Sequence, residues 1–224
     1  MSDKMTEKML EAIEKTFSLT LKNDGGHISC KVKGMKFDIS SYEAKGLGCV
    51  SVMKGTAMLG LMKMDTVVIN PFERDMALFS YDRIYAMEND TILLEMYDTR
   101  IDRTVSTDAP AKAAEAYADI PEQPVAPNWY DDIKLKGSLK KTGKKDITSR
   151  FDRLTEEYLD AFLKLCREAK ECDRDEKMKA AQVYTEGLLS NGGPSTDQFV
   201  NAKGLEFTQK LFRETIFGTG TPEI

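Results

Sequence analysis

Residues 65–98 read DTVVINPFERDMALFSYDRIYAMENDTILLEMYD. Runs rich in Val, Ile, Leu, Phe and Tyr end at Ile69, span 78–87 and span 91–98, with Asn70-Pro71 and a Glu88-Asn89-Asp90 tip between them. Apolar runs bounded by turn residues predict strands. The connections are far shorter than the dozen or so residues that a parallel crossover needs, so these strands are expected to pair antiparallel. Upstream, the same signal predicts strands near 27–33, 35–43, 47–54 and 57–69, punctuated by Gly34, Gly46, Gly48 and Gly55. The runs from Val50 to Val52 and from Thr66 to Ile69 are apolar at consecutive positions, which predicts a sheet covered on both faces.

Helices flank this block. Met5, Met9, Ile13 and Phe17 recur at i+4 and predict a helix over 3–17, with Ser2 as its N-cap. After the sheet, Pro110 to Ala118 predicts a short alanine-rich helix. The stretch IPEQPVAPNWYDD, residues 120–132, carries three prolines and is expected to be a surface loop, and residues 134–145 a flexible basic segment. Helical periodicity returns with Phe151, Leu154, Tyr158, Phe162, Leu165 and Ala169 behind a capping Thr148. A second helix is expected from Asp175 to Leu189, stopping at Asn191-Gly192-Gly193. Ser195 and Gln198 fit a capping box, and a last helix carries Leu205, Thr208, Phe212 and Ile216 up to Gly218. The expected architecture is one α+β domain over residues 1–224: a three-layer α/β/α sandwich with a central antiparallel sheet. Its parts are an N-terminal helix in 1–20, the sheet in 26–100 and a mainly helical region in 109–224.

Composition excludes several function classes. The formal net charge of −5 leaves no basic excess for nucleic acid. The opening MSDKMTEKMLEAIEKTF is charged and amphipathic, unlike a secretory leader, and no run approaches the roughly 20 apolar residues of a membrane span. A cytoplasmic chain with no membrane partner is expected. Cys30, Cys49, Cys166 and Cys172 match no zinc-knuckle spacing and are expected to be free thiols, and the single His27 rules out a histidine-rich metal site. No GxGxxG, Walker A, HExxH or GxSxG motif occurs, so neither a nicotinamide cofactor nor ATP has a recognisable cradle.

What remains is a set of carboxylates within apolar strands. Side chains alternate faces along a strand, so Asp82 shares its face with Leu78, Ser80 and Ile84, and Asp65 shares one with Val67 and Ile69. A two-residue turn at Asn89-Asp90 puts Asp82 opposite Tyr97 with Glu95 diagonal to it; a three-residue turn puts Asp82 opposite Met96 with Asp98 on its face. The sequence leaves both registers open. A carboxyl group on an apolar face, or beside a second one, has a raised pKa and can pass protons to a bound substrate near neutral pH. Asp82 and Asp65 are the candidate proton donors.

The stretch Val68-Ile69-Asn70-Pro71-Phe72-Glu73-Arg74-Asp75-Met76-Ala77-Leu78-Phe79-Ser80-Tyr81-Asp82 resembles the ferredoxin-dependent bilin reductases and their relative, red chlorophyll catabolite reductase. Asp75, Phe79 and Asp82 match the family's spacing. Tyr97-Asp98-Thr99-Arg100 is similar to the end of its next strand, without the usual proline. Tyr184, the turn from Asn191 to Pro194 and the closing Ile216-Phe217 look like its C-terminal part. The resemblance covers residues 45–100 and 175–218. It implies a linear tetrapyrrole bound between sheet and C-terminal helices, no bound flavin or metal, electrons from ferredoxin and protons from carboxylates. Asp82 falls on the principal proton-donor position and Asp65 on a second one. Arg74, Arg83 and Arg100 become candidates to pair with pigment propionates, as Arg does with carboxylates generally. Glu95 and Asn191 complete the expected substrate contacts. Lys134, Lys136, Lys140, Lys141, Lys144 and Lys145 suit docking of an acidic electron carrier. The chain departs from the family in lacking its histidine, in having Ala77 for a proline, and in having Gly192 for an acid near the C-terminal turn. Two other readings stay open: a carrier of a tetrapyrrole or other flat apolar ligand, and an interaction protein with a filled core.

Overall fold

The computed structural model describes residues 3–24, 26–193 and 195–222; Ser2, the expected cap, and Pro194 of the predicted turn lie outside them. The predicted strands form one antiparallel sheet, joined by two more, the first and the last, from outside the expected residues 26–100. Its strands are β1 (Leu19–Leu21), β2 (His27–Val32), β3 (Met35–Ala44), β4 (Gly48–Ala57), β5 (Met62–Pro71), β6 (Leu78–Ala86), β7 (Asn89–Tyr97) and β8 (Leu139–Lys144). They lie in the order β1-β3-β4-β5-β6-β7-β8, with β2 sharing the β3 edge with β1. The helices are α1 (Asp3–Glu14), α2 (Asp108–Glu115), α3 (Thr148–Glu168), α4 (Arg174–Asn191), α5 (Thr196–Lys203) and α6 (Leu205–Lys210), the last running into a π-helical turn, Leu211–Ile216.

Each sheet face has its own core. Val50, Val52, Val67, Ile69, Phe79 and Leu94 pack against Met9 and Ile13 of α1 and Phe151, Leu154 and Phe162 of α3. Phe37, Ile39, Met53, Val68, Leu78 and Tyr97 on the opposite face pack against Tyr184 and Leu188 of α4, Phe199 of α5 and Phe212, Ile216 and Phe217. The strand period of two explains the division, because Val67 and Val68 go to different cores.

Five local expectations are corrected. The β6–β7 turn is Met87-Glu88, one step before the predicted tip, and pairs Ala86 with Asn89. Asp90 stays in the ladder because its carboxylate is buried against Arg83, 2.5 Å from Nε and 2.6 Å from Nη2. Neither expected register holds: Asp82 stands opposite Leu93. Residues 134–145 are not a flexible loop, since 139–144 form the edge strand β8. There Lys141 is buried and donates to the Ile120 carbonyl, while Lys144 donates to Asn89. Lysine-rich edges guard a sheet against stray pairing, and here they hide the strand pattern from the sequence. Finally, Thr148 does not cap α3 but donates to Asp90 Oδ2, and Ser195 makes no capping hydrogen bond.

Candidate functional site

The strand alternation that builds the second core also leaves a space in it. A cavity of about 330 Å³ lies between the sheet and the α4–α6 layer, within the size range of small-molecule sites. Met53, Met64, Thr66, Val68, Ser80, Asp82, Leu93 and Glu95 form its sheet side; Tyr184, Leu188, Phe199, Phe212, Ile216 and Phe217 form its helical side. On this face the core is not filled, unlike in the alternative reading of an interaction protein with no pocket. The wide π-helical turn brings Phe212 and Ile216 to the cavity, and such turns are frequent at functional sites.

Asp82 is half-buried, on the cavity wall. Thr66, its partner across the β5–β6 ladder, donates from Oγ1 to Asp82 Oδ1 at 2.5 Å, and Ser80 Oγ lies 3.5 Å from Oδ2. Burial raises the Asp82 pKa; the Thr66 hydrogen bond opposes the rise, the Glu95 charge adds to it, and Ser80 opposes it weakly. The result is a value of about 6, poised for proton transfer near neutrality.

Glu95 stands opposite Ser80, diagonal to Asp82 on the same face. It accepts from Tyr97 Oη at 2.8 Å and pairs with Lys134 at 2.9 Å. Tyr97 stacks on Tyr184 at 4.2 Å and meets the edge of Tyr130 at 5.6 Å. Burial, then Tyr184 and Glu95, push its phenol far above the ordinary range, so Tyr97 stays a neutral donor. Trp129 buttresses this cluster. Its indole N–H donates to the Gly192 carbonyl at 3.0 Å, and its ring fills the space where a side chain on Gly187 would sit.

The other expected site residues lie elsewhere. Asp65 is buried on the opposite face, paired in the ladder with Lys54 and Arg83, because Thr66 takes the position across from Asp82. Arg83 is likewise on that face, bound to Asp90 and 3.4 Å from Asp152. Arg74 donates to the carbonyls of Gly46 and Ala169 and pairs with Glu171. Arg100 is held by Asp98 at 2.7 Å and by the Val105 carbonyl. Asn191, the exposed last residue of α4, is not in the cavity wall. Among the described residues no Arg or Lys lines the cavity; its charged residues are Asp82 and Glu95. Sequence reasoning missed Thr66, Ser80 and Tyr130 as contributors. Only the face-sharing of Ser80 with Asp82 signalled any of them.

No family model matches the chain, and no curated protein matches it in sequence. Among solved structures its fold is similar to that of phytochromobilin synthase from tomato, solved in complex with biliverdin. The TM-score is 0.77 over 98% of this chain and 83% of that one, at 12% identity. The likeness is one of fold, and fold alone does not carry activity. No helix among the described residues is long and apolar enough to cross a membrane.

Proposed function

We propose that the chain binds a linear tetrapyrrole in this cavity and reduces it with electrons from ferredoxin, Asp82 supplying a proton. One observation carries the reading: a carboxyl group with a pKa of about 6 lies on an apolar cavity wall, in a fold like that of a protein holding biliverdin. Saturating one double bond of the pigment takes two electrons and two protons. Ferredoxin gives the electrons singly, and Asp82 gives the first proton to the bound pigment and is reprotonated from solvent. The second proton follows the same route through Asp82, Asp65 lying on the opposite face, while Glu95, paired with Lys134, supplies the nearby charge that helps keep Asp82 protonated. With no cation among the described residues of the wall, pigment propionates are expected to project out of the cavity. Of the basic segment, Lys134 and Lys141 are engaged by the fold, and Lys136, Lys140, Lys144 and Lys145 are left to dock an acidic carrier.

A second reading, a non-catalytic tetrapyrrole carrier, is favoured by the turn after α4. Gly192 stands there in place of an acid, and the nearby Asp197 carboxylate, 2.7 Å from where a Gly192 Cβ would lie, is not in the cavity wall.

Anaerobic addition of biliverdin, then of reduced ferredoxin, separates the readings in the visible spectrum. A shift followed by bleaching is expected of the enzyme; a shift alone leaves the carrier, and no shift removes both. Asp82→Asn is expected to keep the shift and lose the bleaching.

A further inference from the structure

We propose that one end of the sheet is a peripheral docking surface for an anionic lipid bilayer. The register gathers the β2–β3, β4–β5 and β6–β7 turns and the end of β8 at this one end. Met58, Leu59 and Leu61 of the β4–β5 turn are 63%, 107% and 63% exposed, and Met87 of the β6–β7 turn is 71% exposed. The two turns are tied together, Met87 N–H donating to the Leu61 carbonyl at 3.2 Å. Four non-glycine residues among those described have positive φ, namely Lys33, Met58, Leu59 and Met87, and all lie here. Backbone strain and solvated apolar side chains are therefore concentrated in one place, against folding stability.

Charge selects the occupant. Lys31, Lys33 and Lys36 lie on one side of the apolar tip, Lys63 beside it, and Lys144 and Lys145 on the other, against Asp38, Glu88 and Asp146. This end is basic in a chain whose net charge is −5. A protruding Leu/Met wedge flanked by lysines suits insertion at a headgroup boundary, with the cations on anionic lipid. The same lysines would repel one another across a pair of identical copies. The surface also adjoins the cavity, whose wall includes Met35, Met62 and Ile84 from this end of the strands. The inference rests on these turns and not on the pigment reading.

Sedimentation with phosphatidylcholine vesicles, with and without phosphatidylglycerol, tests it. The full chain is expected to bind the anionic vesicles, less so at high salt, and to leave the neutral ones. Leu59→Gly relaxes a left-handed backbone while removing the wedge, so it is expected to fold at least as stably and bind about tenfold more weakly. Lys33→Glu is expected to weaken binding roughly fivefold or more. Lack of binding by the folded chain, equal binding to neutral vesicles, or binding unchanged in Leu59→Gly would overturn the proposal. So would self-association through the tip without lipid, which would make the surface a contact between copies.

Discussion

Thr66 stands directly across the ladder from Asp82 and donates a 2.5 Å hydrogen bond to its carboxylate. The bond favours the charged form, against the burial that disfavours it. Thr66→Val keeps the shape and removes the donor. Hydrogen bonds to charged groups contribute about 1.5–3 kcal/mol, so the Asp82 pKa is expected to rise by about one unit or more from its value of about 6. A carboxyl carbon NMR titration reads this directly; an unmoved or lowered midpoint would show that the bond does not control the acid.

Asp82 also links stability to pH. Its folded pKa of about 6 lies above the ordinary 3.8, so the folded chain holds a proton that the unfolded chain has lost between those values. Stability from this group is complete at low pH and falls as pH rises through about 6. The full difference corresponds to about 3 kcal/mol. Asp82→Asn is expected to be the more stable protein at pH 8, by an amount of that order, and the gap should close toward pH 4. Urea midpoints at the two values test this, and equal gaps at both would contradict the raised pKa.

Arg83 serves the fold in the present geometry. It is fully buried with Asp90, far from the cavity side of β6. Asp90→Ala leaves the guanidinium without its main partner and is expected to cost about 3–5 kcal/mol. Arg83→Met combined with Asp90→Ala removes both charges and should recover much of that loss. Biliverdin affinity of the folded double variant is expected to match the parent; a large drop would restore Arg83 as a ligand contact.

These residues show where the sequence was legible. Period-two alternation identified the central strands and put Asp82 on the face of Leu78, Ser80 and Ile84; Ser80, Asp82 and Ile84 line the cavity together, and Leu78 is in the core on that side. Alternation within one strand cannot say which face of the next strand it joins. Asp65 therefore looked equivalent to Asp82 until the ladder paired Asp82 with Thr66. The Asn89-Asp90 turn signal failed because Asp90 has a buried partner seven residues back in Arg83, a contact that local propensity does not contain. β8 was hidden because its lysines read as solvated loop, although Lys141 bends its charge to a buried carbonyl. The arginines near the resemblance were chemically suited to propionates, but each was already engaged by the fold.

Gly187, inside α4, gives the last test. Alanine in a helix interior ordinarily stabilises by about 1 kcal/mol over glycine. Here a Cβ would lie 2.2 Å from the Trp129 ring, so the indole must move. Moving it strains the Nε1 bond to the Gly192 carbonyl and loosens Trp129 from Tyr130 and Tyr184, both of which border the cavity. Overpacking of this kind costs about 1–3 kcal/mol, which outweighs the helix gain. Gly187→Ala is therefore expected to lower stability and weaken biliverdin binding together. Trp129 is the only tryptophan, so its emission reports the displacement without interference. A more stable variant with unchanged emission would mean that the indole does not rest on α4, and the aromatic wall of the cavity would lose its support.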